Sequence, residues 1–159
     1  MQKDLLLNYD EFIIKFKDII KSLGLNNSIQ REYVLKIMFD NEGHLNAEDI
    51  LLKIKTTYKV SIGIATVYRI LNLLEELHIV KAITISGQDF KVYELNLKPH
   101  HDHMVCIHCN KIVEFYDAEL EKIQELVAID NGFKLQSHTM MLYGICKECR
   151  NNDNKSLSN

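Results

Sequence analysis

Every cysteine in the chain belongs to one of two equally spaced pairs, Cys106-Ile107-His108-Cys109 and Cys146-Lys147-Glu148-Cys149. Each C-x-x-C knuckle offers two soft thiolates, and two knuckles supply the four ligands of a closed tetrahedral zinc site. Residues 110–145 separate the pairs, more than one zinc finger holds, so the metal ties an early hairpin to the last ordered turn of the same half. Two disulfides or four inert core thiols are the alternatives. Met1-Gln2-Lys3-Asp4-Leu5-Leu6-Leu7 lacks the apolar stretch of a signal peptide, which makes the cytoplasm the expected location and disfavours disulfides. The paired spacing disfavours inert thiols. A site with no open position serves folding rather than chemistry.

Just upstream stands His100-His101-Asp102-His103. Along an extended chain alternate side chains point to opposite sides, so His101 and His103 face one way, and His100 and Asp102 the other. One short strand can thus feed two separate metals. The bland alternative is a hydrated histidine-rich loop. Glu94, Glu114, Glu121, His138 and His44 are candidate completing ligands that spacing alone does not assign.

The only proline, Pro99, separates this cluster from segments of helical period. Phe12, Phe16, Ile19, Ile20 and Leu23 recur at helical spacing, with Gly24 placed as a C-terminal cap. A second helix starts near Asn27 or Ser28, with Gln30 placed for a capping box from Asn27, and its stripe is Val34, Leu35, Met38 and Phe39. Asn46 caps a third, with Ile50, Leu51, Ile54 and Tyr58 inward. The fourth runs from about Ile64 to Leu77. Two β-rich stretches, Val80–Ile85 and Phe90–Leu95, flank the turn Ser86-Gly87-Gln88-Asp89. Helices followed by a two-stranded hairpin indicate a winged helix-turn-helix.

On the fourth helix Ile64, Val67, Ile70, Leu71, Leu74 and Leu77 share one arc, expected to be core. Opposite them, Ala65, Tyr68, Arg69, Asn72 and Glu76 cluster on a face suited to a major groove. Arg69 can reach guanine edges or phosphate, Asn72 adenine, and Tyr68 phosphate or a thymine methyl; Ala65 permits close approach. Thr66 completes the candidate DNA contacts of this helix. Lys15, Lys17, Lys21, Arg31 and Lys91 are candidate phosphate contacts. Any surface helix also has a solvated face, and these cations suit ordinary surface positions.

Nineteen basic against 22 acidic residues give a net charge of −3, which argues mildly against nucleic acid. Neither half is basic, so a DNA footprint has to come from local placement. With 47% hydrophobic and 26% charged residues, the 159-residue chain is not mostly disordered, and no apolar run is long enough to span a bilayer.

Gly63-Ile64-Ala65-Thr66-Val67-Tyr68-Arg69-Ile70-Leu71-Asn72, Tyr93-Glu94-Leu95, His100-His101-Asp102-His103-Met104-Val105-Cys106-x-x-Cys109 and Cys146-x-x-Cys149 together resemble the ferric uptake regulator family over residues 12–150. The resemblance implies a mixed α/β (α+β) chain: a winged-helix DNA-binding domain with an N-terminal helical extension over 1–95 and an α/β metal-binding dimerisation domain over 96–150; the polar tail over 151–159 has no periodicity and is expected to be structureless. It implies a homodimer, or a higher oligomer, on palindromic double-stranded operator DNA. By position, Cys106, Cys109, Cys146 and Cys149 match the family's structural zinc site. His44, Glu94, His101, His103 and Glu114 match its regulatory site, and His100, Asp102, Glu121 and His138 a further site. One visible departure is Asn110, where glycine often follows the knuckle.

The implied function is a metal-responsive repressor, mainly of iron-uptake genes, with structural Zn²⁺ and regulatory Fe²⁺ for which Mn²⁺ or Zn²⁺ can substitute. Peroxide-sensing relatives typically carry aspartates where this chain has Glu94 and Glu114. Zinc-, manganese- or peroxide-responsive regulation within the family is the alternative, and a zinc-binding interaction or metal-buffering module stands outside it. A zinc enzyme is disfavoured: the sequence holds neither H-E-x-x-H nor the deaminase pairing of H-x-E with P-C-x-x-C.

Overall fold

The first element of the computed structural model, which describes residues 8–41, 43–85 and 87–156, is the capped helix α1 (Tyr9–Ser22). The segment Met1 to Leu7, Glu42, Ser86 of the anticipated turn, and residues 157–159 lie outside the described residues. Asn8 accepts the Asp10 N–H to open α1. At its end Gly24 turns left-handed (φ +70°), with Gly24 N–H bonded to Lys21 O and Leu25 N–H to Ile20 O. This paired closure needs a residue without a Cβ penalty, which is why glycine stands there.

The chain forms two compact units, Met1–Leu97 and Lys98–Asn159. In the first, α1 is followed by α2 (Ile29–Phe39), strand β1 (Leu45–Asn46), α3 (Ala47–Tyr58), α4 (Ile64–Glu76) and the hairpin β2 (Val80–Thr84) and β3 (Lys91–Leu95). Its core is Ile20, Val34, Leu35, Ala47, Ile50, Ile54, Val67, Leu71 and Leu74, all fully buried. Each large side chain there contributes about 1.5–3 kcal/mol of burial. Two local expectations change. Ser28, not Asn27, precedes α2, and no side-chain capping bond forms there. Ile64 is 36% exposed, because it occupies the first turn of α4, before the helix meets the core.

Strand β1 has no counterpart in the sequence pattern. It is two residues long, too short for any period, and exists because it pairs antiparallel to β3, Leu45 opposite Tyr93 and Asn46 opposite Val92. The sheet runs β1-β3-β2. Asn46 then doubles as the N-cap of α3, accepting the Asp49 N–H at 2.7 Å.

The second unit has a sheet of order β5-β4-β6: β4 (Asp102–Cys106) lies antiparallel to β5 (Ile112–Phe115) and parallel to β6 (Met141–Gly144). Helix α5 (Ala118–Asp130), capped by Asp117, crosses from β5 towards β6 and has no buried residue. Helix α6 (Lys147–Ser156) carries ordered chain through positions 151–156, where the composition suggested none. Local polarity misled there: a helix already nucleated at the second knuckle extends at little further cost. No helix among the described residues is long and apolar enough to cross a membrane.

The two candidate caps make a direct contrast. Asn46→Ala is expected to lower stability by about 1 kcal/mol in urea unfolding. Asn27→Ala should stay within about 0.5 kcal/mol, as an exposed residue with no capping role.

Candidate metal centres

The four cysteines converge. Cys106 ends β4, and the knuckle turns back through Asn110 at φ +59°, a left-handed position that asparagine tolerates better than most residues. Cys106 Sγ lies 3.9 Å from Cys149 Sγ, and Cys109 Sγ lies 3.8 Å from Cys146 Sγ. A zinc tetrahedron with bonds of about 2.3 Å has edges of about 3.8 Å, so the sulfurs are spaced for that ion. The Cys146 N–H points at Cys106 Sγ (3.3 Å), and this bond, with a second from Cys109, lowers the Cys106 thiol to about 6. Cys149 moves the other way, its proton held by the Cys146 and Cys109 sulfurs. Four sulfurs at this separation cannot all ionise without a cation, and a bound divalent ion displaces the remaining protons. Lys111 and Glu148, 3.1 Å apart, join the two knuckles a second time.

At the other end of β4, the buried Asp102 carboxylate (2% exposed) accepts the Met140 N–H. His100 Nε2 lies 3.6 Å from Asp102 Oδ1 and 3.4 Å from Glu121 Oε1; His138 Nε2 lies 3.6 Å from both. These gaps exceed hydrogen-bond length but match the edge of about 3.4 Å for a tetrahedron with 2.1 Å metal–nitrogen or metal–oxygen bonds. Glu121 Oε1 and His138 Nε2 are buried without a hydrogen-bond partner. Orphaned polar atoms of this kind are costly unless something charged sits between them. The donor set fits a divalent cation.

The third candidate ligand set is divided between the units. In the first unit, extending the β1–β3 register by one residue sets His44 beside Glu94, with Nε2 to Oε2 at 3.3 Å and the two side chains only 8% and 4% exposed. In the second, His103 pairs in register with Glu114 across β4 and β5. The His101 and His103 rings meet edge to face at 4.9 Å, and His101 Nε2 lies 3.9 Å from Glu114 Oε2. His101 Nδ1 contacts the Pro99 carbonyl at 2.9 Å. A carbonyl only accepts, so Nδ1 is the donor here, and in the neutral ring this tautomer leaves Nε2 free to ligate a metal. Glu114 also receives a lysine, Lys98, which the sequence pattern did not single out.

On α4, Ala65, Arg69 and Asn72 are exposed, and Thr66 and Tyr68 half-buried. Tyr68 donates to Glu48 at 3.3 Å, and Arg69 folds along its own helix to Ala65 O and Thr66 Oγ1. Lys17 pairs with Glu32, Lys91 with Glu75, and Arg31 with the Asn26 carbonyl; Lys15 and Lys21 are exposed. These are weak surface contacts, each worth about 0–1 kcal/mol. Glu48 and Lys98 were missed because each acts on a partner distant in sequence, with no spacing to betray it.

Residues 22–143 match the model of the ferric uptake regulator family. The ferric uptake regulation protein of Campylobacter jejuni subsp. jejuni serotype O:2 is 44% identical over 146 residues, covering 91% of this chain and 92% of that one. The solved structure of the Helicobacter pylori ferric uptake regulator, described as having three functional metal-binding sites, superposes with a TM-score of 0.85 at 38% identity, over 91% of this chain and 95% of that one. The Francisella tularensis ferric uptake regulator with iron gives 0.74 at 34% identity, over 80% and 96%.

Structural zinc binding is worth about 10–16 kcal/mol in small domains, so the cysteine cluster should govern folding of the second unit. Cys106→Ser is expected to lose zinc by elemental analysis and to lose amide protection beyond residue 98, with the first unit intact. A metal-free, fully protected variant would defeat this.

Proposed function

The chain belongs to the ferric uptake regulator family, and from that premise we propose a homodimeric, Fe²⁺-responsive repressor of iron-uptake genes that acts on palindromic operator DNA in the cytoplasm. The family membership carries the broader statement directly: this is a metal-responsive transcriptional regulator. Within the proposal, residues 1–95 read DNA through α4, and residues 96–150 hold the dimer. Support for the dimer comes from α5, where Ile123, Leu126, Val127 and Ile129 are 55–65% exposed. An apolar helix with no buried residue is half of an interface.

The carrying observation is the buried His44–Glu94 pair. A carboxylate taken almost wholly out of water is favoured beside a cation, and with one imidazole it offers too few donors to complete a transition-metal sphere. His101, His103 and Glu114, the family's matching positions in the second unit, are likewise an incomplete sphere. In the proposal all five share one ion: three imidazoles and two carboxylates, one of them bidentate, give six-fold N/O coordination suited to Fe²⁺ or Mn²⁺. Glutamate at 94 and 114, rather than aspartate, favours iron regulation over peroxide sensing. Cys106, Cys109, Cys146 and Cys149 hold structural zinc, and His100, Asp102, Glu121 and His138 an additional ion.

His44 and Glu94 belong to the reading unit and the other three ligands to the dimerising one, so their joint ligation sets the separation of two recognition helices. Adjacent major-groove entries on one DNA face lie about 34 Å apart, so that separation decides whether both helices dock. Bound there, a divalent cation supplies differential affinity for the docking arrangement, and a near-complete switch needs roughly 5.5 kcal/mol of it. Ala65, Thr66, Tyr68, Arg69 and Asn72 then meet base edges and backbone, with Lys15, Lys17, Lys21, Arg31 and Lys91 on phosphate.

Anaerobic titration of operator binding with Fe²⁺, Mn²⁺ and Zn²⁺ at fixed salt is the test. Fe²⁺ is expected to stimulate binding, while His101→Ala combined with His103→Ala abolishes stimulation and leaves the dimer intact by sedimentation. Unchanged metal dependence in that variant sinks the proposal, and a response to Zn²⁺ or Mn²⁺ alone reassigns the metal.

A further inference from the structure

Glu114 is not held by histidine alone. Lys98 Nζ donates to both of its carboxylate oxygens, each at 2.8 Å. A symmetric ammonium–carboxylate chelate occupies the same two oxygens that a metal would take. One of them, Oε2, is the atom that lies 3.9 Å from His101 Nε2. Charge-assisted bonds are the strong class of hydrogen bond, yet this pair stands partly in water, with side chains 40% and 28% exposed. Its strength is therefore moderate, and its lysine rides on a flexible four-carbon stem that can swing into solvent.

We propose that Lys98 is a built-in competitor of the regulatory cation: it neutralises Glu114 in the metal-free chain and has to be displaced when the carboxylate turns to the metal. This rests on the reading of Glu114 as a regulatory ligand. The consequence is a raised switching threshold. Metal binding has to break the Lys98–Glu114 pair and then tolerate an ammonium beside a divalent charge. Both penalties are electrostatic and partly solvent-exposed, so both weaken as salt screens them. A residue that merely shaped the loop would show no such salt dependence. Lys98 also adjoins Pro99, whose carbonyl fixes the His101 tautomer, so substitutions here need to remove charge without shortening the stem.

The experiment is calorimetric titration of the zinc-loaded, full-length protein with Mn²⁺, which avoids iron oxidation, at low and high salt. The relevant binding event is the one that Glu114→Gln removes. Lys98→Met is expected to bind Mn²⁺ at that site about two- to five-fold tighter at low salt, the range set by releasing an exposed ion pair. The gain should shrink at high salt, and Lys98→Arg, which keeps the charge, should show none. Lys98→Met binding equally or more weakly, in a protein where Glu114→Gln still removes the event, overturns the competitor role while leaving the site reading in place. A Glu114→Gln protein that loses no event overturns the ligand reading, and this proposal with it.

Discussion

Four sulfur atoms, with Cys106 3.9 Å from Cys149 and Cys109 3.8 Å from Cys146, are a problem before they are a site. As thiolates they repel, and as thiols they have only weak hydrogen bonds to offer one another. The second unit depends on resolving that conflict, because it has little apolar interior of its own: among the described residues only Val105 and Cys106 are buried hydrophobics beyond Leu97, and α5 buries nothing. A tetrahedral cation converts the repulsion into the strongest tie in the unit, anchoring the end of β4 to the start of α6. Strand β4 is thereby held at one end, and its other end is where the histidines and Asp102 emerge.

Much of this was legible in residue order. The alternation along His100-His101-Asp102-His103 follows from strand geometry alone, and the two sides of β4 do carry different neighbours. His100 and Asp102 lie with Glu121 and His138, whereas His101 and His103 lie towards Glu114. What no local spacing could supply was the identity of those neighbours. Glu121 arrives in the first turn of α5 and His138 after a long irregular stretch, so their meeting is a property of tertiary packing. The residue types made both candidates in advance, and only the family resemblance assigned them to this site.

The misses share that cause. Strand β1 is created by β3 rather than by its own two residues, and through it His44 reaches Glu94. The capping box at Asn27 fitted the pattern of residue types, but the backbone begins its helix one residue later. Helix α6 runs through a segment of poor helix formers because the knuckle before it has already fixed the first turn. Charge misled differently. A net of −3 counts residues, whereas phosphate recognition depends on where a few cations stand, and four of those here, Lys17, Arg31, Arg69 and Lys91, are already engaged with protein partners.

The parallel pairing of β4 with β6 has a bearing on how the chain is made. A parallel neighbour cannot be reached by a hairpin; β6 and the Cys146-Cys149 knuckle come after everything they pack against. On the ribosome the reading unit, rich in short-range helix contacts, can close early, whereas β4 has to wait for residues some forty positions later before its sheet or its zinc site exists. Until then the first knuckle offers two of the four thiolates that a closed tetrahedral site takes, so the second unit cannot complete that site before its last two sulfurs are made.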